Sequence, residues 1–316
     1  MPDFDVLVLG DANPDLVLRG SDVEPAFGQQ ERLVDEGRLT VGGSGAIFAC
    51  AAAKLGLRAA FCGLVGEHPF GRFMRDELAA RGVDTGGLTV DPDRPTGVTV
   101  VISKPDDRAM LTAVGTIGDL RASQVDRDLL RATRHVHVSS YFLQGALRPD
   151  LPALLADAHE VGAATSIDPN WDPAEEWDSG LLSLLPAVDV FLPNSAEARN
   201  ITGIEDIDVA AESLAERGCI VAVKFGAGGG MVVQGDVVVR VPTIGVEVVD
   251  ATGAGDTFDA GFLAGHLAGW PTERSLALGN VCGALSTRAA GGTDAQPTME
   301  EARARLPEVE GRPFPP

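Results

Sequence analysis

An aspartate, Asp256, follows the turn Gly253-Ala254-Gly255 in the stretch VEVVDATGAGDTFDAGFLAGHLAG, residues 246–269. Phe258, Phe262, Leu263 and Leu267 then recur at helical spacing, while Val246, Val248 and Val249 before the turn read as the end of a strand. A helix that begins on such a turn offers unpaired backbone N–H groups and the positive end of its dipole, which together make a site for phosphate. Asp256 then either caps the helix start, as carboxylates often do, or stands beside a bound anion.

Further polar clusters follow strand-like runs: Asp11-Ala12-Asn13-Pro14-Asp15, Gly42-Gly43-Ser44-Gly45, Tyr141, Asp168-Pro169-Asn170, Asn194-Ser195-Ala196-Glu197 and Phe225-Gly226. Turn chemistry accounts for each singly. Their repetition fits an open parallel sheet, which binds ligands where loops leave the carboxyl ends of its strands. Two nucleotide motifs are excluded: GxGxxG needs glycine where Phe258 stands, and no GxxxxGK[ST] occurs. His135 and His137 share one face of a strand without a further His or Cys cluster, leaving sheet packing or a metal as their role.

The elements that must position these residues alternate. DVLVLG precedes an Ala-rich helix at 46–55, then come AAFCGLVG and a helix near 71–81; later HVHVSS, ATSIDPN, VDVFLPN and IVAVKFG each follow a helix-like segment. Such alternation predicts an α/β fold with a mostly parallel sheet covered on both faces. Residues 15–43 and 96–115 break the pattern. The second has a two-residue period, with Val98, Val100 and Ile102 on one face and a polar turn at 104–107, and predicts a hairpin in a small separate sheet acting as a lid. Residues 307–316 read as a loose Pro-rich tail.

The chain has 316 residues, 45% of them hydrophobic, enough for one large α/β domain with a small appendage. Acidic residues outnumber basic ones by 46 to 25, a formal charge of −21 that disfavours nucleic acid and anionic membranes as partners. Cys50, Cys62, Cys219 and Cys282 lie singly in apolar runs, as small buried hydrophobes in a reducing, cytoplasmic protein. The start MPDFDVLVLG has no signal-peptide character, and no apolar run is long enough to span a membrane.

GGSGAIFACAAAKLGLRAAFCGLVGEHPFGRFMRDELAARGVDT (42–85) with DATGAGDTFDAGFLAG (250–265) resembles the paired signatures of the ribokinase-like, phosphofructokinase-B-type carbohydrate kinases, and PNSAEARNITG (193–203) is similar to their NxxE segment. The resemblance spans nearly the whole chain. It implies a three-layer α/β/α domain (1–10, 44–95 and 116–316), a β lid (11–43 and 96–115), a homodimer through the lid, and transfer of the γ-phosphoryl group of ATP to a sugar hydroxyl. It places an anion hole at Gly253, Ala254 and Gly255 and the base at Asp256. Such a base holds the acceptor hydroxyl in line with phosphorus and takes its proton. Asn194 and Glu197 would organise Mg²⁺ through water; Asn13, Asp15, Gly42 and Gly43 would meet the sugar, the glycines by close backbone approach. Lys224, Gly226, Gly229 and Asn280 would line the nucleotide pocket, and Asp250, Thr252, Ala289 and Gly292 resemble a monovalent-cation site for K⁺. Where ribokinases carry GGKGAN this chain has GGSGAI, so Ile47 replaces an amide that reads hydroxyls and favours a less hydroxylated face or a nucleoside base. Arg108 lies between lid strands, near enough in sequence to be weighed as a substrate contact or a solvated charge. A nucleoside kinase and a non-catalytic sugar or nucleotide sensor are the alternatives.

Overall fold

The computed structural model describes residues 2–104, 108–312 and 314, with Arg108 described by its backbone alone. Thirteen strands are found among them: β1 (Val6–Leu9), β2 (Asn13–Arg19), β3 (Glu36–Gly42), β4 (Ala59–Gly66), β5 (Leu88–Asp91), β6 (Val98–Ser103), β7 (Arg108–Ala113), β8 (His135–Val138), β9 (Ala164–Ile167), β10 (Val190–Phe191), β11 (Ile220–Lys224), β12 (Gly230–Gln234) and β13 (Val237–Val241). Nine form one sheet in the order β13-β12-β11-β10-β9-β8-β1-β4-β5. It is parallel from β11 to β5, with β12 and β13 antiparallel at one edge.

Successive residues of a strand point to opposite faces, and β1 shows the result. Val6 and Val8 enter a core with Phe48, Phe258 and Leu278, whereas Leu7 and Leu9 enter a second core with Leu151, Leu154 and Leu155. Helices therefore cover both faces: Ser44–Lys54, Ala254–Leu267 and Thr272–Ser286 on one, Leu151–Glu160 on the other. This is the expected α/β/α arrangement.

β2, β3, β6 and β7 form the second sheet, ordered β3-β2-β6-β7, with β2 parallel to β6. Val98, Val100 and Ile102 do share a face, but they are only half-buried; the buried residues of β2 and β6 include Asp15, Val17 and Val101 on the opposite, inner face. The expected turn at 104–107 falls largely on residues outside those described, and so does the Arg108 side chain. Leu16, Leu18, Leu39 and the 63% exposed Leu111 extend the outer apolar face.

Residues 246–249 are not a strand. They join no strand, although Val249 N donates to Thr287 O at 2.8 Å, and Val246 and the 62% exposed Val248 wall a cavity instead of a sheet. The tail also departs from expectation: Val309, within it, is buried in the first core. All four cysteines are buried as free thiols. Among the described residues no helix is long and apolar enough to cross a membrane.

His135 and His137 are fully buried and share one hydroxyl, Ser166 Oγ, at 2.7 Å from His135 Nε2 and 2.8 Å from His137 Nδ1. His137 also stacks on Phe48. They pack and hydrogen-bond within the sheet, and no group of metal-ligating residues surrounds them among those described. Burial pushes both imidazoles down to about 3, so they stay neutral in the fold. An unfolded imidazole titrates near 6.5 and takes up a proton first, so stability is complete above that value and is lost as pH falls from about 6.5 toward 3. At pH 5 each imidazole should cost about 2 kcal/mol. Urea unfolding at pH 7 and pH 5 should show a smaller pH-dependent loss in His135→Gln/His137→Gln than in the natural sequence; equal losses would refute the assignment.

Candidate active site

Helix Ala254–Leu267 opens on Gly253, whose φ of 70° is left-handed and suits glycine. A Cβ there would also lie 2.8 Å from Ile47 Cγ2 and 3.0 Å from Gly292 Cα, so the turn seats directly on Ile47. Two cavities meet at this turn. One, about 540 Å³, is lined by Asn13, Asp15, Gly43, Ile47, Asn194, Glu197, Thr252, Gly253 and Asp256. The other, about 500 Å³, is lined by Gly229, Asn280 and Ala254 and by the apolar wall of Ile244, Val246, Val248 and Phe258. Lys224, Gly226 and Gly255 line both.

Asp256 is half-buried on the floor of the first cavity. Burial and then the Asp168 charge raise its carboxyl well above the usual carboxylate range, opposed by Lys224 and by a Ser44 hydrogen bond. Ser44 accepts from Asn170 Nδ2 at 3.1 Å, and the same amide reaches Ser140 Oγ at 3.1 Å. Ser140 Oγ in turn donates to Asp11 at 3.1 Å. Asp11 also accepts from the backbone N–H of Ser44 and Gly45, fixing the start of helix Ser44–Lys54 beside Asp256 in this cavity.

The inner face of the small sheet closes this cavity. Register puts Thr40, Asp15, Thr99 and Thr112 in one row across four strands. Asp15 and Asn13 are buried, with Asn13 Nδ2 at 3.5 Å from both Asp15 Oδ1 and Thr99 Oγ1. The glycines nearby serve the protein before any sugar: a Cβ on Gly42 would lie 2.1 Å from Asp15 Oδ1, and one on Gly43 2.9 Å from Asn13 Oδ1. Gly42 lines neither cavity, and its missing Cβ is what admits the Asp15 carboxylate.

Asn194 caps helix Ser195–Thr202, its Oδ1 accepting from Ala196 and Glu197 N–H at 2.9 Å, while Glu197 returns to Asn194 N at 2.8 Å and Nδ2 at 2.6 Å. This reciprocal box locks the NxxE pair and holds the Glu197 carboxyl at the cavity wall. Burial and Asp168 push that carboxyl up to about 7. Glu197 and Asp256, raised by burial first and by Asp168 second, line one cavity and fit a divalent cation. An ion such as Mg²⁺ keeps several waters and leans on substrate phosphates, so one or two carboxylates are enough to hold it. Glu197→Gln should therefore raise the Mg²⁺ concentration needed for half-maximal turnover, and unchanged Mg²⁺ dependence would remove Glu197 from that role.

Asn280 is buried, its Nδ2 donating to Val241 O at 2.8 Å and Pro242 O at 3.3 Å, so it anchors the apolar wall as well as lining the second cavity. Asp250 accepts from Thr252 N, Thr252 Oγ1 and Gly291 N at 2.9, 2.7 and 2.9 Å. These bonds tie the loop to residues 289–292, but Asp250, Ala289 and Gly292 line neither cavity.

Lys224, expected at the nucleotide pocket, has a second set of partners that sequence reading missed. Its Nζ lies 2.6 Å from Asp168 Oδ2 and 3.0 Å from Asp259 Oδ2. Asp259 is one turn beyond Asp256 in the same helix and fully buried. Burial tends to discharge all three groups; the two carboxylates outweigh it for Lys224, which stays charged, and Lys224 outweighs it for Asp168, which is lowered. Asp259 is raised, by burial first and then by Asp168. A lone acidic residue inside the apolar run FDAGFLAG was the available signal.

The profile of the pfkB family carbohydrate kinases matches residues 3–299. The chain belongs to the pfkB family of carbohydrate kinases. As a member of the pfkB family it is a sugar kinase, a phosphotransferase with an alcohol group as acceptor. It is 33% identical to an ATP-dependent ribose-1-phosphate kinase of Halopiger xanaduensis over 96% of this chain and 98% of that one. A fructokinase of Klebsiella pneumoniae is 32% identical over 95% and 99% of the respective chains. Among solved structures, a putative ribokinase II from E. coli in complex with ATP and Mg²⁺ superposes with a TM-score of 0.84 at 25% identity, covering 96% of this chain and 99% of that one. An adenosine kinase from Sinorhizobium meliloti gives 0.83 at 25% identity, with coverage of 96% and 99%.

Proposed function

We propose that this pfkB kinase transfers the γ-phosphoryl group of ATP to a hydroxyl of a small neutral carbohydrate. The observation that carries this reading is the meeting of the two cavities at the glycine turn, with Asp256 on the polar side and an apolar wall on the other. The adenosine moiety suits the cavity walled by Val246 and Val248, and its phosphates reach the N–H groups of Gly253 and Gly255 and compete with Ala251 O, 3.3 Å away, for that of Ala254. Asp256 orients the acceptor hydroxyl and takes its proton as oxygen bonds to the γ-phosphorus and the bond to the ADP oxygen breaks. The backbone donors stabilise charge on the transferring group. Asn194 and Glu197 would hold Mg²⁺ through water, and the ion would supply charge neutralisation on the phosphates.

The acidic lining of the cavity supports a neutral acceptor. Asp11, Asp15, Asp168, Glu197 and Asp256 line the acceptor cavity, and among the described residues Lys224, already held by two carboxylates, is the cation there. A phosphorylated or acid sugar would meet net repulsion. The apolar side chains of Ile47, Met110, Ile117 and Leu143 in the same cavity favour nucleosides as the second reading.

An ADP-release screen over pentoses, hexoses, keto-deoxy acids, ribose-1-phosphate and nucleosides, in K⁺ and in Na⁺ buffers, tests all of this. Turnover confined to charged acceptors would overturn the neutral reading, and equal rates in the two buffers would remove K⁺ from the loop of Asp250. Absence of ADP release with every acceptor would leave the sensor alternative. The apolar outer face of the small sheet also suits a second copy of the chain; a monomer mass by light scattering would rule this out.

A further inference from the structure

Lys224 occupies an unusual place. It ends β11, lines both cavities, and its ammonium stands beside the anion-hole turn: a Cβ built on Gly255 would lie 3.6 Å from Nζ. The ammonium is drawn to that place by carboxylates from two other elements, Asp168 at the end of β9 and Asp259 on the helix that carries Asp256. Both carboxylates are almost sealed from solvent, with side-chain exposures of 7% and 1%.

A buried ion cluster is a poor way to add stability, because desolvation offsets most of the attraction and apolar residues of like volume do as well or better. Its value is placement. Lysine has a long flexible stem, and two fixed acceptors remove that freedom before a ligand arrives. An ammonium has three donors. One serves Asp168 at 2.6 Å and one is shared by the two oxygens of Asp259, at 3.1 and 3.0 Å, which leaves a third for an oxygen at the seam between the cavities.

We propose that Lys224 contacts the transferring γ-phosphoryl group from that seam, and that Asp259 and Asp168 are positioning residues that hold its ammonium there. This rests on the reading of the glycine turn as the anion hole. The contact would be to the γ-phosphate and not to the parts of the nucleotide shared by ATP and ADP. Lys224 would then help neutralise the group in flight, beside the backbone donors.

The test is binding of MgATP and MgADP by calorimetry, which needs no acceptor, in the natural sequence, Lys224→Met, Lys224→Arg and Asp259→Asn. Lys224→Met should weaken MgATP about tenfold and MgADP less than about twofold, and lower kcat with the acceptor found by screening about 10- to 100-fold. Asp259→Asn should lower kcat while leaving MgADP affinity in place, and Lys224→Arg should keep more turnover than Lys224→Met. Equal losses for ATP and ADP, or an unchanged kcat in Lys224→Met, would overturn the proposal. If Lys224→Met does not fold, Lys224→Met/Asp259→Leu removes the stranded buried carboxylate as well. That double variant should fold yet still fail to prefer ATP, and a natural ATP preference in it would also overturn the proposal. Failure of the underlying kinase reading looks different: the natural sequence itself would show no turnover.

Discussion

Asp256→Asn should keep the fold and ATP binding but lower kcat by about 10²–10⁴, the scale on which general acid–base catalysis acts. The amide fills the same space and cannot accept the hydroxyl proton. It also removes the cost of burying a charge and the repulsion from Asp168 and Asp11, which together raise the natural carboxyl, so thermal unfolding should shift upward or stay put. That separates lost chemistry from lost structure. Near-normal turnover on a verified acceptor would dismiss Asp256 as the base. The raised carboxyl adds a sign: the base works ionised, so kcat/KM should fall as pH drops through a value above the ordinary carboxylate range, not within it. A rate flat across that interval in the natural sequence would contradict the same assignment.

Asp15→Ala should lower kcat/KM for the best acceptor by about 2–4 kcal/mol, or roughly 30- to 1,000-fold, with ATP affinity barely changed. Asp15 sits in the polar row on the inner face of the small sheet, buried and within reach of Asn13. Truncation would leave acceptor hydroxyls and the Asn13 amide without their carboxylate in a closed site. Steady-state kinetics with calorimetric ATP binding decide the matter: weaker ATP with intact acceptor kinetics would move the acceptor site to another loop. Ile47→Asn belongs to a different class of variant. Ile47 lines the acceptor cavity, yet it also underlies Gly253 and Gly292. It should alter the anion hole along with any gain in preference for fully hydroxylated pentoses, and a change in ribose selectivity at constant ATP kinetics would show that only the cavity face matters.

Much of this site could be read from local sequence because its parts are local. The turn, Asp256 and the helix after it lie within one short stretch, and the NxxE box closes over three residues. The alternation of strands and helices gave the layers for the same reason, since period is a property of neighbouring residues. What escaped was long-range. Asp259 has no visible purpose until Lys224, 35 residues earlier, and Asp168 fold around it. Thr99 and Thr112 join the acceptor wall only through strand register. Valines at 246–249 carry the composition of a strand, but composition does not reveal whether a pairing partner exists. Here the segment runs past the sheet and its apolar side chains wait on a ligand cavity.

The contact between Gly42 and Asp15 sets an order on how this pocket can change over generations. Any side chain at position 42 would have to displace the Asp15 carboxylate, since even a methyl carbon would come within 2.1 Å of it. Replacement of Gly42 by alanine is therefore costly while Asp15 stands, and loses its three nearest clashes once Asp15 is gone. The two positions are epistatic: a lineage drifting toward a different acceptor must surrender the carboxylate first, and after position 42 has filled, the way back is shut.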